Sequence, residues 1–274
     1  MKKTIVIFTL LVALLSSCAT EFNRVYKSSD YSFKYEYAKQ LFANRKFSQA
    51  ITLLEEVVQL KKGSDQGEEC LFLLGMAQYN NSDYESAAAT FRKYGSSYPH
   101  GIYAEQASFY VGQSLYESTP EPRLDQTPTV GAINAYQQFL DLYPDSKRRA
   151  EAQDHLFELQ DKLVQKEYLS AKLYYNLGGY FGNCSNGGSN YEACIITAQN
   201  ALKNYPYARQ REEFAVVIMK SKFELAENSA EEKRIDRYRD AEDECYGFLN
   251  EFPESPEART AEQYIKKCKK VTKD

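Results

Sequence analysis

Tryptophan is absent from this chain of 274 residues, and histidine occurs only twice, as His100 and His155. Neither stands in a His-Glu-x-x-His pattern, no cysteines have Cys-x-x-Cys spacing, and no glycine-rich phosphate loop follows a strand-like run. Charge of one sign is missing too: 34 Lys and Arg face 38 Asp and Glu, a net of −4, so a nucleic-acid partner is not indicated. Past the N-terminal segment, no apolar run is long enough to span a bilayer. The paired glutamates (Glu55-Glu56, Glu68-Glu69, Glu212-Glu213, Glu231-Glu232) read as solvated helix faces. Lys147-Arg148-Arg149 and Lys266-Lys267 read as plain basic patches able to dock an acidic partner. The expectation is a non-enzymatic chain with no catalytic residues, no metal and no cofactor.

What is present begins at the N-terminus. Lys2 and Lys3 precede an almost continuous apolar run from Thr4 to Leu15, the layout of a secretory signal. Leu15-Ser16-Ser17-Cys18 then resembles the lipobox of bacterial lipoproteins, which makes Cys18 the expected lipid attachment site and residues 1–17 the signal. Two or more acyl chains on one residue anchor stably where one does not. Residues 18–30 are read as a lipidated tether, and the protein as held at a membrane without spanning it.

The remaining 255 or so residues carry a repeat of 37. Ala38, Gly75 and Gly112 share one small-residue position; Tyr35, Phe72 and Phe109 share a second; Phe42, Tyr79 and Tyr116 share a third. A period of this length marks stacked helical hairpins. The spacing predicts helices over Tyr31–Asn44, Ser48–Leu60, Glu68–Asn80 and Tyr84–Ser97, with Phe47 and Ser48 as staple and cap of the second. Leu71, Leu74-Gly75, Tyr79, Tyr84, Ala87, Phe91 and Pro99 resemble the tetratricopeptide (TPR) consensus. Four aromatic-proline pairs end later repeats: Tyr98-Pro99, Tyr143-Pro144, Tyr205-Pro206 and Phe252-Pro253. Twelve residues before each proline stand Ala87, Ala132, Cys194 and Ala241; five before stand Tyr94, Phe139, Ala201 and Phe248. The first repeat has Ala50 in register but Lys62 in place of proline.

The fold class is therefore all-α, a TPR-like helical-hairpin superhelix of about five repeats with a capping helix over Glu257–Val271. Glu117–Val130, with three prolines, reads as an extended insert in the third repeat, and Phe181–Asn190 as a Gly/Asn-rich loop in the fourth. Lys147–Val164 reads as a linking amphipathic helix, which divides the chain into 31–146 (repeats 1–3) and 147–274 (linking helix, repeats 4–5 and cap). Beyond Cys18 the cysteines are Cys70, Cys184, Cys194, Cys245 and Cys268. In an oxidising compartment Cys184 with Cys194, or Cys245 with Cys268, can bridge; buried thiols are the other reading.

In TPR hairpins the first helix lines the concave face. Tyr35, Phe42, Phe72, Tyr79, Phe109 and Tyr116, with Lys39, Met76 and Gln113 between them, then form an aromatic peptide groove or, equally, packing between repeats.

Lipobox, short tether, five TPR-like repeats, Tyr-Pro ends and the third-repeat insert together resemble the BamD family of lipoproteins. That family belongs to the outer-membrane β-barrel assembly machinery. Tyr168–Tyr175 (YLSAKLYY), Lys162-Leu163 and Ala50-Ile51-Thr52 after Phe47 add to the likeness, which covers essentially the whole chain. The resemblance implies a location in the outer membrane facing the periplasm, anchored through Cys18. It implies N-terminal repeats that engage unfolded outer-membrane proteins, and C-terminal repeats that dock a barrel-forming subunit with periplasmic repeats. A TPR lipoprotein coordinating cell-wall synthesis or envelope constriction is the alternative.

Overall fold

The computed structural model describes residues 21–61, 65–179 and 189–272. Cys18 and the signal lie outside these, as do Cys184 and most of the loop at 180–188. The described residues form helices and no strand. In order these are α1 (Tyr31–Ala43), α2 (Phe47–Leu60), α3 (Asp65–Asn80), α4 (Tyr84–Ser97), α5 (Ala104–Glu117) and α6 (Thr127–Leu142). There follow α7 (Arg149–Leu177), α8 (Asn190–Asn204), α9 (Arg211–Glu227), α10 (Glu231–Glu251) and α11 (Ala258–Thr272). Pairs α1/α2, α3/α4, α5/α6, the end of α7 with α8, and α9/α10 make five TPR-like hairpins, closed by α11.

The repeat read from the sequence is a packing lattice. Ala50, Ala87, Ala132, Cys194 and Ala241 are all fully buried, and so are Leu54, Phe91, Tyr136, Ala198 and Cys245 one turn later. Opposite them the first helix of each early hairpin must be small. A Cβ on Gly75 would lie 2.6 Å from the Phe91 ring, and one on Gly112 would lie 2.7 Å from Tyr136. The hairpin turns repeat as well: Arg45 and Ser82, 37 apart, both take positive φ (58° and 62°).

All four aromatic-proline ends have one geometry. Tyr98, Tyr143, Tyr205 and Phe252 cap their helices at φ −135° to −128° and ψ 62° to 68°, because the following proline bars the α region. Each cap N–H still reaches the carbonyl four back, on Tyr94, Phe139, Ala201 and Phe248. Lys61, with no proline after it, ends α2 at φ −95° and ψ 9° instead.

Several expectations are corrected. Helix α2 begins at Phe47 without a side-chain cap; Ser48 lies inside it and donates to Asn81 Oδ1 at 2.9 Å. The linking helix does not stop at Val164. It runs to Leu177 because no glycine or proline interrupts the chain between Arg149 and Gly178. The insert is shorter than expected: α5 reaches Glu117, and Pro128 sits in the first turn of α6, where its missing N–H does no harm. Nor is the whole tether free, since residues 21–26 are helical and Val25 is fully buried in the core of the first hairpins.

The chain divides into two compact units. The first runs to Pro120 and resumes over Gln126–Leu159; the second comprises Glu121–Asp125 and continues from Gln160. The boundary thus falls inside α7, not before it. Ala152, Leu156 and Leu159 pack with Phe109, Ala132, Tyr136 and Phe139, whereas Val164 and Ala171 pack with α8 and α9.

Candidate functional site

The aromatic positions of α1, α3 and α5 were the candidate groove, and packing divides them. Tyr35 and Phe109 are 3% and 1% exposed. Burial and the neighbouring Glu69 hold the Tyr35 hydroxyl far above its ordinary pKa. Phe109 lies edge-on to Phe139 at 5.4 Å and to Tyr136 at 5.9 Å, with the Arg148 guanidinium 4.5 Å above its ring. Phe72 stacks on Tyr103 at 4.4 Å and also meets Phe91. These three are the cement between hairpins, and Tyr35 and Phe109 have no free face for a peptide. Gln113 is spent in the same way: it is buried, accepts from Tyr136 Oη at 2.9 Å and donates to Glu117 at 3.0 Å.

The partners seven residues on remain half-exposed. Phe42 meets Phe47 edge-on at 5.5 Å. Tyr79 meets Tyr84 and Tyr110, and burial, then the Glu117 charge, push its hydroxyl up to about 12. Tyr116 lies flat on His155 at 4.3 Å and donates to Glu158; that bond and burial push it up to about 12. Met76 packs on the core beside this row. Lys39 sits 4.7 Å over the Tyr35 ring and pairs with Glu36 at 2.8 Å. The surface that α1, α3 and α5 leave to a ligand is therefore the row Phe42, Tyr79 and Tyr116 with Lys39 and Met76. It can hold an apolar side chain, its one ammonium being paired with Glu36. No three metal-ligating side chains cluster among the described residues.

Sequence reasoning missed the polar locks beneath this surface. Glu68 is no solvated face residue: it accepts from Tyr94 Oη and from the Ile102 amide at 2.7 Å, and so pins the turn after Pro99. Gly101 has no room for a Cβ there, which would come within 2.4 Å of Glu68. Glu56 likewise holds the buried Lys34, whose ammonium also faces the Tyr26 and Tyr31 rings at 5.6 and 5.3 Å.

Cys70, Cys194, Cys245 and Cys268 are buried free thiols. Cys245 and Cys268 therefore do not bridge; they fill helix seams as small apolar groups, and burial raises their thiols to about 12 and about 11. Cys194 also stands in the lattice, 4.0 Å from the Val217 carbonyl, and its proposed partner Cys184 lies outside the described residues.

Comparison with known proteins matches residues 28–187, more than half the chain, to the family model described as YfiO: Outer membrane lipoprotein. The putative outer membrane protein assembly factor BamD of Aquifex aeolicus (strain VF5) is 27% identical over 217 residues, covering 73% of this chain and 68% of the relative. The outer membrane protein assembly factor BamD of Caulobacter vibrioides is 21% identical over 172 residues, covering 62% of this chain and 56% of the relative. Among solved structures, the TPR2AB-domain:pHSP90 complex of yeast Sti1 aligns at a TM-score of 0.38 and 13% identity, covering 87% of this chain and 98% of that one. The helical hairpins described above establish the fold. On the match over residues 28–187, the chain belongs to the YfiO family of outer membrane lipoproteins, placed in the outer membrane and facing the periplasm.

Proposed function

We propose that this lipoprotein is a non-enzymatic subunit of the machinery that assembles β-barrel proteins in the outer membrane. In this reading Cys18 carries the lipid, the first unit receives unfolded barrel proteins, and the second docks the barrel-forming subunit through its periplasmic repeats. The observation that carries the proposal is the family match, which begins just before α1 and runs past the end of α7. The role named for both relatives, outer membrane protein assembly, supports it. The half-exposed row of Phe42, Met76, Tyr79 and Tyr116 is the surface we assign to apolar anchors of an unfolded chain.

The test is purification of the tagged lipoprotein from crosslinked membranes, together with its depletion. Recovery of a large outer-membrane barrel protein, with barrel levels falling on depletion, is expected. Recovery of cell-wall enzymes with unchanged barrel levels would overturn the assembly role and leave the fold intact. Replacing Tyr79 and Tyr116 together by Ser is expected to reduce crosslinking to unfolded barrel proteins severalfold while the barrel-forming subunit still co-purifies.

A further inference from the structure

Helix α7 has a second face in the second unit that its core does not use. Val164 and Ala171 point into the core with α8 and α9. Leu169 and Leu173 belong to no buried cluster, and Leu173 is 57% exposed. With Lys166 and Asn176 they follow an i, i+3, i+7, i+10 course along one side of the helix. This side is the wall of a cleft of about 480 Å3. The insert brings Arg123 to the same cleft, and Lys172 stands on its rim, 5.7 Å from the Tyr168 ring. Both walls belong to the second unit, since Glu121–Asp125 pack with it.

The charge of the cleft is one-sided. Three cations and two leucines line it, and none of its described lining residues is acidic, in a chain whose net charge is −4. The carboxylate of Asp161, close by on α7, is engaged elsewhere, paired with Arg209 at 3.7 Å. The insert is held in place as well. Gln126 at its end is buried and accepts from Thr129 at 2.7 Å, and Leu124 N–H bonds to the Glu121 carbonyl at 3.0 Å. Half-buried Leu169, exposed Leu173 and cations on both walls thus present an apolar floor inside a positive frame.

We infer that this cleft docks an acidic segment of a partner protein, with an apolar side chain on Leu169 and Leu173 and flanking carboxylates on Lys166 and Arg123. Charge complementarity selects the partner, and the apolar floor selects a peptide over a bare anion. Lys172 sets the outer register. The assignment is independent of how the first unit receives unfolded chains, so it stands or falls separately from the assembly role.

The test is fluorescence anisotropy of the detergent-solubilised full chain with a labelled peptide of repeating Glu-Leu-Glu, against the same peptide with Lys for Glu. Combined Arg123→Glu and Lys166→Glu substitutions are expected to weaken binding of the acidic peptide about tenfold, as loss of two exposed ion pairs implies. The Lys peptide should then bind this variant better than the unaltered protein. Leu173→Ser, a change at an exposed position, should weaken the acidic peptide severalfold at any salt concentration. Unaltered binding in both variants would overturn the proposal. So would a protein that binds phosphatidylglycerol vesicles or inorganic phosphate through Arg123 and Lys166 while ignoring the acidic peptide.

Discussion

The two units use one hairpin lattice and fill it with different chemistry. In the first, the small residue is on the leading helix and the large one on the trailing helix: Ala38 precedes Leu54, Gly75 meets Phe91, and Gly112 meets Tyr136. Rings then pack from hairpin to hairpin, mostly edge-on or tilted, through Phe72, Phe91, Tyr110, Phe109 and Phe139. In the second, the trailing helices carry Ala198 and Cys245, and the bulk comes from Phe214, Ile218 and Phe223 of α9. Ion pairs do much of the joining there: Arg211–Glu251, Lys220–Glu257, Lys222 with Asp240 and Glu244, and Arg237–Glu192. In the first unit Lys34–Glu56 joins two helices, whereas Arg24–Glu21, Lys39–Glu36 and Arg148–Glu151 each lie three residues apart along the chain. The lattice specifies volume across the seam, and either helix can supply it. Buried rings hold equally at any salt, whereas half-exposed ion pairs are screened.

The comparison breaks most sharply at Gly75. Gly75→Val is expected to destabilise the first unit by about 3 kcal/mol, because Phe91 is fully buried and cannot retreat. Hydrogen exchange should show α3 and α4 opening while α9 to α11 keep their protection; equal loss in both units would show that they unfold as one. A smaller effect is expected in the second unit. Lys222→Met should cost about 1 kcal/mol in urea unfolding, since it leaves Asp240 and Glu244 facing each other without their cation.

Acid sharpens the same contrast. The hydrogen bond from Lys220 holds Glu257 below its ordinary pKa. A depressed carboxylate contributes stability above its unfolded value, near 4.5, and that contribution is lost as pH falls through the lower folded value. Exchange protection of α11 should therefore drop between pH 4.5 and the acid limit before that of α3 to α5 changes. The mildest change is Gly95→Ala. A Cβ there meets nothing within 4 Å, so the better helix former should stabilise α4 by up to about 1 kcal/mol in thermal unfolding.

Much of the fold was legible because it is local. Small residues every 37 positions, and prolines a fixed distance beyond them, mark helix seams and helix ends directly. Ala87, Ala132, Cys194 and Ala241 are all fully buried as that register requires. The length of α7 was misread because its two halves serve different hairpins, and only the absence of glycine and proline between them argued for one helix. The groove was legible only in part. A stripe of rings at helical spacing looks the same whether it faces a ligand or the next hairpin, and Tyr35 and Phe109 turned out to face the next hairpin. Glu56 and Glu68 were misjudged because charge in a sequence does not show the buried Lys34 or the turn amide that each one satisfies.

The sequence by itself determined the all-α hairpins, their repeat and their aromatic-proline ends, since helix period, steric need for small residues and the restriction before proline act within a few turns of chain. Only the tertiary structure decided which rings are cement and which are surface, that the cysteines 245 and 268 stay apart as thiols, and that the insert brings Arg123 beside α7. Those outcomes depend on which distant helix covers each face, and burial by a neighbour far along the chain leaves no periodic trace in the residues it covers.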